Sequence, residues 1–350
     1  MNSRYYRHSL LYIVYVLLLC CCKKEEDKYL YGYNAFPDIC RLADGRIACV
    51  FYQGYSHTSL PEQNTAGYMG GKIMIAYSMD EGRSWSIPEV LIDTPNDDRD
   101  PSITQLSNGD ILVNYFIVNG EGFESYGLWT VRSTDGGLRW SQPSLLSQDY
   151  FASSPIRELS NKELILGLYS YAEKGVYGAS VRSIDTGRTW QQAVRIRNLQ
   201  DLDFDAETDI VELNKDSLYA VLRTNDQNRN MHFTISTDHG ASWQLSQDIG
   251  FPGHCPYLYK ATNGVLFLAS RIPNTCIRYS KDNGKTWSKP YLVENSIGAY
   301  PSIIQSVDGS FLISYYDDFN ESRRSVIKFK RFTFTGNTIL FNTQFSSQLR

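Results

Sequence analysis

The sequence repeats one pattern of apolar and polar positions six times along the chain. Each copy is a pair of short apolar segments around a polar turn, and the copies begin at Pro37, Pro101, Pro155, Thr208, Pro256 and Pro301. Four of the turns contain Asp-Gly or Asn-Gly, dipeptides that favour tight β-hairpins. Short apolar runs bounded by turn residues are typical of buried strands. The pattern therefore predicts six β-hairpins.

A second motif, Ser-x-Asp-x-Gly-x-x-Trp, follows each of the first five hairpins. Its copies begin at Ser78, Ser133, Ser183, Ser236 and Ser280, and they hold five of the six tryptophans. The Asp can accept backbone N–H groups, the Gly can adopt a positive φ, and we expect the Trp to pack back over its own turn. A repeat of about 50 residues with four short strands is typical of a propeller blade.

The sixth hairpin is followed by one more strand-like stretch, SVIKFKRFTF, without this motif. We expect either residues 29–33 or the tail around residues 338–341 to complete the sixth blade. Closing the ring in this way removes exposed sheet edges. The sequence thus predicts an all-β fold, a six-bladed propeller with four-stranded antiparallel blades, formed as a single domain by residues 30–350.

Composition agrees with this fold and excludes several functions. Hydrophobic residues make up 42% of the chain, and 25 Tyr against 5 Met is typical of strands rather than helices. The net charge is −4, which argues against general nucleic-acid binding. The sequence has no nucleotide-binding loop, HExxH helix or EF-hand loop, so we expect no cofactor and no metal. We also expect a monomer.

The N-terminus has the features of an export signal. Arg4 and Arg7 precede an apolar run over residues 10–22 that is too short to span a bilayer. The run ends in three cysteines, residues 20–22, and charged residues follow. This resembles a bacterial lipoprotein signal, which implies cleavage of residues 1–21, a linker over 22–29, and a cell-surface or periplasmic protein that contacts the membrane only through a lipid anchor. A plain signal peptide is the alternative.

Cys40 and Cys49 lie symmetrically about the Asp44-Gly45 turn, and we expect them to face each other across the hairpin. The sequence is compatible with a disulfide between these two cysteines and equally with two free thiols. No CxxC pair occurs among the cysteines beyond the signal, which argues against a structural zinc site.

The hairpin register predicts where polar side chains gather. The two strands of each hairpin run antiparallel, so the start of the first lies beside the end of the second. The residues directly before the six copies are Phe36, Asp100, Ser154, Glu207, Cys255 and Tyr300. The residues fifteen positions after each start are Tyr52, Phe116, Ser170, Arg223, Arg271 and Tyr316. Arg99 and His254 come one step earlier in the chain, and His57 lies in a following loop. So many titratable groups around one opening predict a functional pocket.

Five Asp-box turns on a six-unit β-array resemble the sialidase (neuraminidase) superfamily over about residues 30–335. The resemblance implies that Tyr300 is the nucleophile and Glu207 its base, and that Arg223 and Arg271 hold a substrate carboxylate. A neutral phenol suits an anionic sugar, which would repel a carboxylate nucleophile. Two guanidiniums suit a planar anion.

The chain departs from the family pattern at two positions, which makes it a divergent member. Ala35 stands where the first arginine of the family triad is expected. No Asp occurs between Gln53 and Ser78, where the acid/base Asp is expected. His57 or Asp100 could serve as a substitute acid.

The candidate catalytic residues are therefore Tyr300, Glu207, His57 and Asp100. The candidate substrate-binding residues are Arg223, Arg271, His254, Arg99 and Tyr316. Three functions stay open, each with a glycan or oligosaccharide ligand. The first is an exported glycoside hydrolase acting on an acidic or unusual terminal sugar. The second is a polysaccharide lyase or another sugar-active enzyme based on His and Tyr. The third is a non-catalytic carbohydrate-binding propeller.

Overall fold

The computed structural model describes residues 31–60, 70–119, 124–172, 175–198, 207–226, 228–295, 298, 300–318 and 324–349. The predicted signal peptide (1–21), its cysteines and the linker (22–29) lie outside these residues. Every regular element in these ranges is a β-strand. Over the same residues, no helix suited to crossing a membrane is found.

The strands fall into six consecutive groups along the chain. The first group contains β1 (Tyr33–Arg41), β2 (Ile47–Gly54), β3 (Lys72–Ser78) and β4 (Glu89–Ile92). The second contains β5 (Asp97–Gln105), β6 (Ile111–Asn119), β7 (Glu124–Ser133) and β8 (Ser144–Ser147). The third contains β9 (Tyr150–Phe151), β10 (Arg157–Glu158), β11 (Leu164–Ala172), β12 (Gly175–Ser183) and β13 (Val194–Arg195).

The remaining three groups follow the same order. The fourth contains β14 (Thr208–Asn214), β15 (Ser217–Leu222), β16 (Asn230–Ser236) and β17 (Gln247–Pro252). The fifth contains β18 (Tyr257–Lys260), β19 (Leu266–Ser270), β20 (Thr275–Ser280) and β21 (Tyr291–Glu294). The sixth contains β22 (Ser302–Gln305), β23 (Phe311–Asp318), β24 (Ser325–Thr335), β25 (Thr338–Phe341) and β26 (Ser347–Leu349).

The arrangement is an all-β propeller, but the groups do not form six separate four-stranded sheets as predicted. The second to fifth groups are separate antiparallel blades, of which three have four strands and the third has five. The first and sixth groups share one nine-stranded sheet, because Tyr33 in β1 forms a parallel bridge with Ser325 in β24. The first and last groups of strands therefore meet at this bridge. Strands β25 and β26 pair along β24, so the C-terminal tail supplies the outer edge of the sixth group.

The repeated turns form as expected from their residues. In the first hairpin, the Gly45 N–H donates to Leu42 O at 2.9 Å, and Gly45 has a φ of 93° that a side chain would strain. In the first Asp box, Ser78 Oγ donates to Asp80 Oδ1 at 2.9 Å and accepts the Gly82 N–H at 2.8 Å. The other four Asp boxes repeat these two contacts.

The Asp-box tryptophans do not pack as predicted. Trp85 of the first group stacks on Phe329 of the sixth, with ring centroids 4.4 Å apart. Trp243 of the fourth group donates through Nε1 to Ser180 Oγ of the third at 2.8 Å. These rings therefore join neighbouring groups, because the apolar surface that can cover them belongs to the adjacent blade.

The two cysteines of the first hairpin do not face each other. Cys49 lies opposite Ile39, and Cys40 lies opposite Ala48. The Leu42 N–H donates to Arg46 O, so the loop is one residue longer than a two-residue turn and the register shifts. Both cysteines are free thiols.

Buried carboxylates hold the starts of the inner strands together. Asp38 accepts its own strand's Ile39 N–H, the Ile103 N–H of the second group at 2.8 Å, and Ser302 Oγ of the sixth group at 2.5 Å. Asp38 therefore links three groups through one side chain.

Asp209 links three other groups of strands in the same way, namely the third, the fourth and the fifth. Its carboxylate accepts the Leu258 N–H of the fifth group at 2.6 Å and pairs with Arg157 Nη2 of the third at 3.0 Å. The residue is fully buried. These contacts fix where the inner strands begin, which is where the candidate site residues lie.

We predict that Asp209→Ala lowers the free energy of unfolding by roughly 3 kcal/mol, because it leaves Arg157 and the Leu258 N–H without their buried partner. Asp216→Ala, at an exposed turn of the same group, is the matched control and should change it by less than about 0.5 kcal/mol. Urea unfolding followed by tryptophan fluorescence measures both. Equal effects of the two substitutions would contradict a structural role for the Asp209 contacts.

Candidate active site

Four groups share the same strained backbone step, which lies within the inner strand in the first and second groups and just before it in the fifth and sixth. Phe36, Asp100, Cys255 and Tyr300 each precede a proline, and their φ angles are 53°, 46°, 43° and 44°. Non-glycine residues rarely adopt positive φ, and such strain persists only where the surrounding structure enforces it. All four side chains line one cavity, which Ser153 of the third group also lines. We call this the axial cavity.

The predicted hairpin register is the one observed around the axial cavity. The Arg223 N–H donates to Glu207 O at 3.3 Å, and the Arg271 N–H donates to His254 O at 3.2 Å. Arg99 pairs with Phe116 across the second hairpin. The start of each first strand therefore lies beside the end of the second.

Glu207 is the point where three groups of strands meet. Its Oε1 accepts the Tyr300 hydroxyl at 2.6 Å and Arg223 Nη1 at 2.5 Å. Its Oε2 accepts the Cys255 N–H at 3.2 Å. The structure thus brings two of the predicted site residues, Tyr300 and Arg223, into direct contact with a third, Glu207.

The charges around Glu207 set the protonation of this pair. Burial raises the pKa of Glu207, but the guanidinium of Arg223 and its hydrogen bond outweigh burial and hold the pKa below its ordinary value. Burial and the Glu207 charge raise the pKa of Tyr300 well above that of a free phenol. The resting pair is therefore a carboxylate and a phenol, and the carboxylate is placed to accept the phenol proton.

Arg271 and His254 form a second pair at the same end of the strands. Arg271 Nη2 lies 3.3 Å from His254 Nδ1. Burial and the nearby charges of Arg223 and Arg271 lower the pKa of His254 to about 4, so the ring is neutral at pH 7. Because Nδ1 accepts from Arg271, the ring proton sits on Nε2, which is buried and has no hydrogen-bond partner within the described part of the chain. Over the same residues, Arg271 has no carboxylate within ion-pair distance.

Arg99 does not lie at the opening as predicted for a substrate-binding residue. It is 3% exposed, forms a salt bridge with Asp97 at 3.1 Å, and donates to His57 O at 2.7 Å. Its guanidinium also lies 5.2 Å from the Phe36 ring. Arg99 therefore holds the loop that carries His57.

His57 lies at the rim of the site. It is exposed, yet its ring packs edge-on against Phe36 with centroids 5.3 Å apart. This packing and the charges of Arg99 and Arg271 lower the pKa of His57 to about 3. A neutral imidazole at pH 7 has no proton of suitable acidity to donate to a leaving group.

Asp100 has a buried carboxyl group, and one of its two oxygens accepts no hydrogen bond from the described residues. Its Oδ2 accepts Ser153 Oγ at 2.8 Å, and its Oδ1 accepts no hydrogen bond among the described residues and lies 3.8 Å from Arg99 Nη2. Burial raises the pKa of Asp100 to about 6, although the Arg99 charge opposes the shift. Asp100 can therefore hold a proton close to neutral pH.

The remaining wall of the site is aromatic. Tyr316 is 2% exposed and packs against Phe36 and Tyr300, with centroids 5.5 and 6.2 Å away. Ala35, in place of the expected arginine, is fully buried opposite Tyr52. This side of the site is therefore lined by aromatic rings.

Sequence reasoning missed two contributors, Ser153 and Tyr169. Ser153 occupies the same repeat position as Arg99 and His254, and that shared offset was the available signal. Tyr169 has no such signal, and its hydroxyl contacts Ser153 Oγ at 3.1 Å.

Fold and site together define a propeller of Asp-box blades with a cluster of polar side chains at the inner strand ends. The chain belongs to the family of BNR repeat-like domains, whose model matches residues 69–313. Among curated proteins, none matches this sequence significantly.

Several solved structures share the fold. A protein of unknown function from Dyadobacter fermentans is 20% identical, with a TM-score of 0.73 over 86% of this chain and 94% of that one. The NanB sialidase of Streptococcus pneumoniae is 13% identical, with a TM-score of 0.65 over 91% and 68%. An α-L-arabinofuranosidase of Fusarium graminearum, in complex with arabinobiose, is 13% identical, with a TM-score of 0.65 over 92% and 97%. At these identities the likeness shows the fold alone.

We predict that His254 stays neutral, with its proton on Nε2, until the pH falls to about 4. Long-range ¹H–¹⁵N correlation spectra of the histidine rings across a pH series measure both properties. Arg271→Met should raise this pKa, because it removes a neighbouring positive charge. Titration of His254 near 6.5, unchanged in Arg271→Met, would contradict the described contact.

Proposed function

We propose that this protein is a glycoside hydrolase that removes an acidic terminal sugar from a glycan. The observation that carries the proposal is the contact of Tyr300 and Arg223 with one oxygen of Glu207. A carboxylate that accepts a phenol hydrogen bond is placed to act as the base that activates the phenol as a nucleophile. The glycoside hydrolases among the structural neighbours are consistent with a sugar ligand.

The reaction follows from the placement of these groups. Glu207 takes the phenol proton while Tyr300 Oη attacks the anomeric carbon and the glycosidic bond breaks. The departing oxygen takes a proton from a carboxylic acid, and Asp100, with its raised pKa, fits this role better than the neutral His57. Water then displaces Tyr300, with Asp100 taking the water proton and Glu207 returning the phenol proton.

The charges support an acidic substrate with one anionic group. Arg223 forms an ion pair with Glu207, and Arg99 forms an ion pair with Asp97. Arg271 makes its described contact with a neutral histidine instead of a carboxylate. The Arg271 guanidinium is therefore placed to pair with a substrate carboxylate, and the His254 Nε2–H group is a neutral hydrogen-bond donor beside it.

Three further properties belong to this proposal. We infer that the nine-stranded sheet comprises two blades joined at Tyr33 and Ser325, which gives a ring of six blades. The N-terminal sequence supports export as a bacterial lipoprotein. We also propose that the protein is a monomer.

We predict that Tyr300→Phe lowers kcat by about 10²–10⁴-fold on the substrate that the wild type cleaves, because the phenyl ring lacks the attacking oxygen. Sialyl, uronyl and rhamnosyl glycosides form the substrate panel. Tyr279→Phe is the matched control, since Tyr279 donates to Asn337 O at 2.7 Å beside an Asp box instead of contacting Glu207. Unchanged turnover in Tyr300→Phe would contradict the mechanism. An ultraviolet-absorbing unsaturated product would indicate a lyase, and binding without any product would indicate a carbohydrate-binding propeller.

We predict that Arg271→Met lowers kcat/KM by roughly 10–100-fold on the acidic sugar, because it removes one charge-assisted hydrogen bond. The corresponding neutral sugar should lose little. Arg278→Met is the control, because Arg278 lies in the same blade as Arg271 but stacks on Phe251 of the fourth group, 4.1 Å from its ring centroid. Equal losses on the acidic and neutral sugars would contradict a carboxylate contact.

A further inference from the structure

A chain of hydroxyl groups leads from Asp100 into the third group of strands. Ser153 Oγ lies 2.8 Å from Asp100 Oδ2 and 3.1 Å from the Tyr169 hydroxyl. Ser153 follows strand β9, and Tyr169 on β11 pairs with Phe151 of β9. The second and third blades are thus connected at the axial cavity by side chains that neither the Asp boxes nor the nucleophile pair requires.

Ser153 has one hydroxyl proton, and it donates that proton to Asp100 Oδ2 at 2.8 Å. In this arrangement the contact with Tyr169 runs from the phenol to Ser153 Oγ, at 3.1 Å. Asp100 Oδ2 is an acceptor in this chain, which leaves Oδ1, buried and without a hydrogen bond among the described residues, to carry a proton.

We propose that Ser153, oriented by Tyr169, is a positioning residue that holds the Asp100 carboxyl group in one orientation, with Oδ2 as the acceptor and Oδ1 as the oxygen that carries the proton. The inference rests on the proposed function, in which Asp100 is the acid. Without the Ser153 donor, the carboxyl group could rotate and place its proton on either oxygen. With it, one arrangement is favoured before the substrate binds, which is the preorganisation that proton transfer requires.

The other charged groups around Asp100 do not supply this orientation. Arg99 and Asp97 lie on the same strand as Asp100, and Arg99 opposes the raised pKa while Asp97 supports it. Glu207 faces Asp100 from the fourth group and also raises its pKa. Tyr300 faces it from the sixth group as a neutral phenol. Ser153 is the described side chain that donates a hydrogen bond to this carboxyl group.

The test compares Ser153→Ala with Ser153→Thr in the full-length protein. Removal of the hydroxyl takes away a hydrogen bond that lowers the pKa of Asp100, so that pKa should rise by roughly 0.4–1 unit. Two readouts report the change: ¹³C NMR titration of the Asp carboxyl carbons, with Asp100→Asn to assign the signal, and the alkaline limb of the pH profile of kcat/KM. Both should shift to higher pH in Ser153→Ala, kcat should fall, and Ser153→Thr should restore all three.

The Asp100 titration and the pH profile of kcat/KM distinguish failure of the positioning role from failure of the proposed function. Tyr169→Phe should shift the titration in the same direction as Ser153→Ala by a smaller amount. Ser154→Ala is the matched control and should leave the titration unchanged, because Ser154 donates to Thr208 O at 2.9 Å instead of to Asp100. An Asp100 titration that Ser153→Ala does not move overturns the positioning role. A shifted titration with an unmoved pH profile overturns Asp100 as the acid of the proposed function.

Discussion

The site depends on the buried carboxylate of Glu207. One of its oxygens accepts hydrogen bonds from a phenol of the sixth group and a guanidinium of its own hairpin, and the other accepts a backbone N–H of the fifth group. A buried carboxylate is costly unless such donors surround it. The same contacts that stabilise Glu207 therefore fix Tyr300 and Arg223 relative to each other. Loss of the charge would leave Arg223 without its described carboxylate partner.

The backbone around the axial cavity supports this arrangement. Four inner strands have, within the strand or just before it, a residue at positive φ that precedes a proline, and this conformation carries a cost. The carboxylates of Asp38 and Asp209 bind backbone N–H groups of adjacent blades and hold the strand starts in place. The rigid inner ends of the blades thus carry the candidate site, while the Asp boxes and tryptophans join the blades further along the strands.

The sequence was most informative where structure depends on local chemistry. The turns at Gly45 and at the Asp boxes follow from the conformational freedom of glycine and the acceptor oxygens of Asp, which act over a few residues. The convergence of Glu207, Arg223 and Tyr300 followed from hairpin register alone. Composition and repeat length were enough to predict an all-β propeller.

Features that depend on contacts between blades could not be predicted in the same way. The Asp-box tryptophans pack on neighbouring blades, and Arg99 is buried against Asp97 and the loop of His57, because tertiary surroundings decide which surface a long side chain covers. The predicted pairing of Cys40 with Cys49 was wrong, because a loop one residue longer than a two-residue turn shifts every residue pair of the hairpin. The link from Asp100 through Ser153 to Tyr169 crosses two blades and has no counterpart in the linear sequence.

The most direct test of the account is to trap the sugar on the protein. A fluorinated, activated glycoside of the acidic sugar that the enzyme cleaves slows breakdown of a covalent intermediate relative to its formation. After incubation and proteolysis, mass spectrometry should find the sugar on the peptide that contains Tyr300, attached to the phenol oxygen, and Glu207→Gln should form this adduct more slowly. Attachment of the sugar to any other residue, in an enzyme that cleaves the parent substrate, would contradict the assignment of Tyr300 and Glu207 as nucleophile and base.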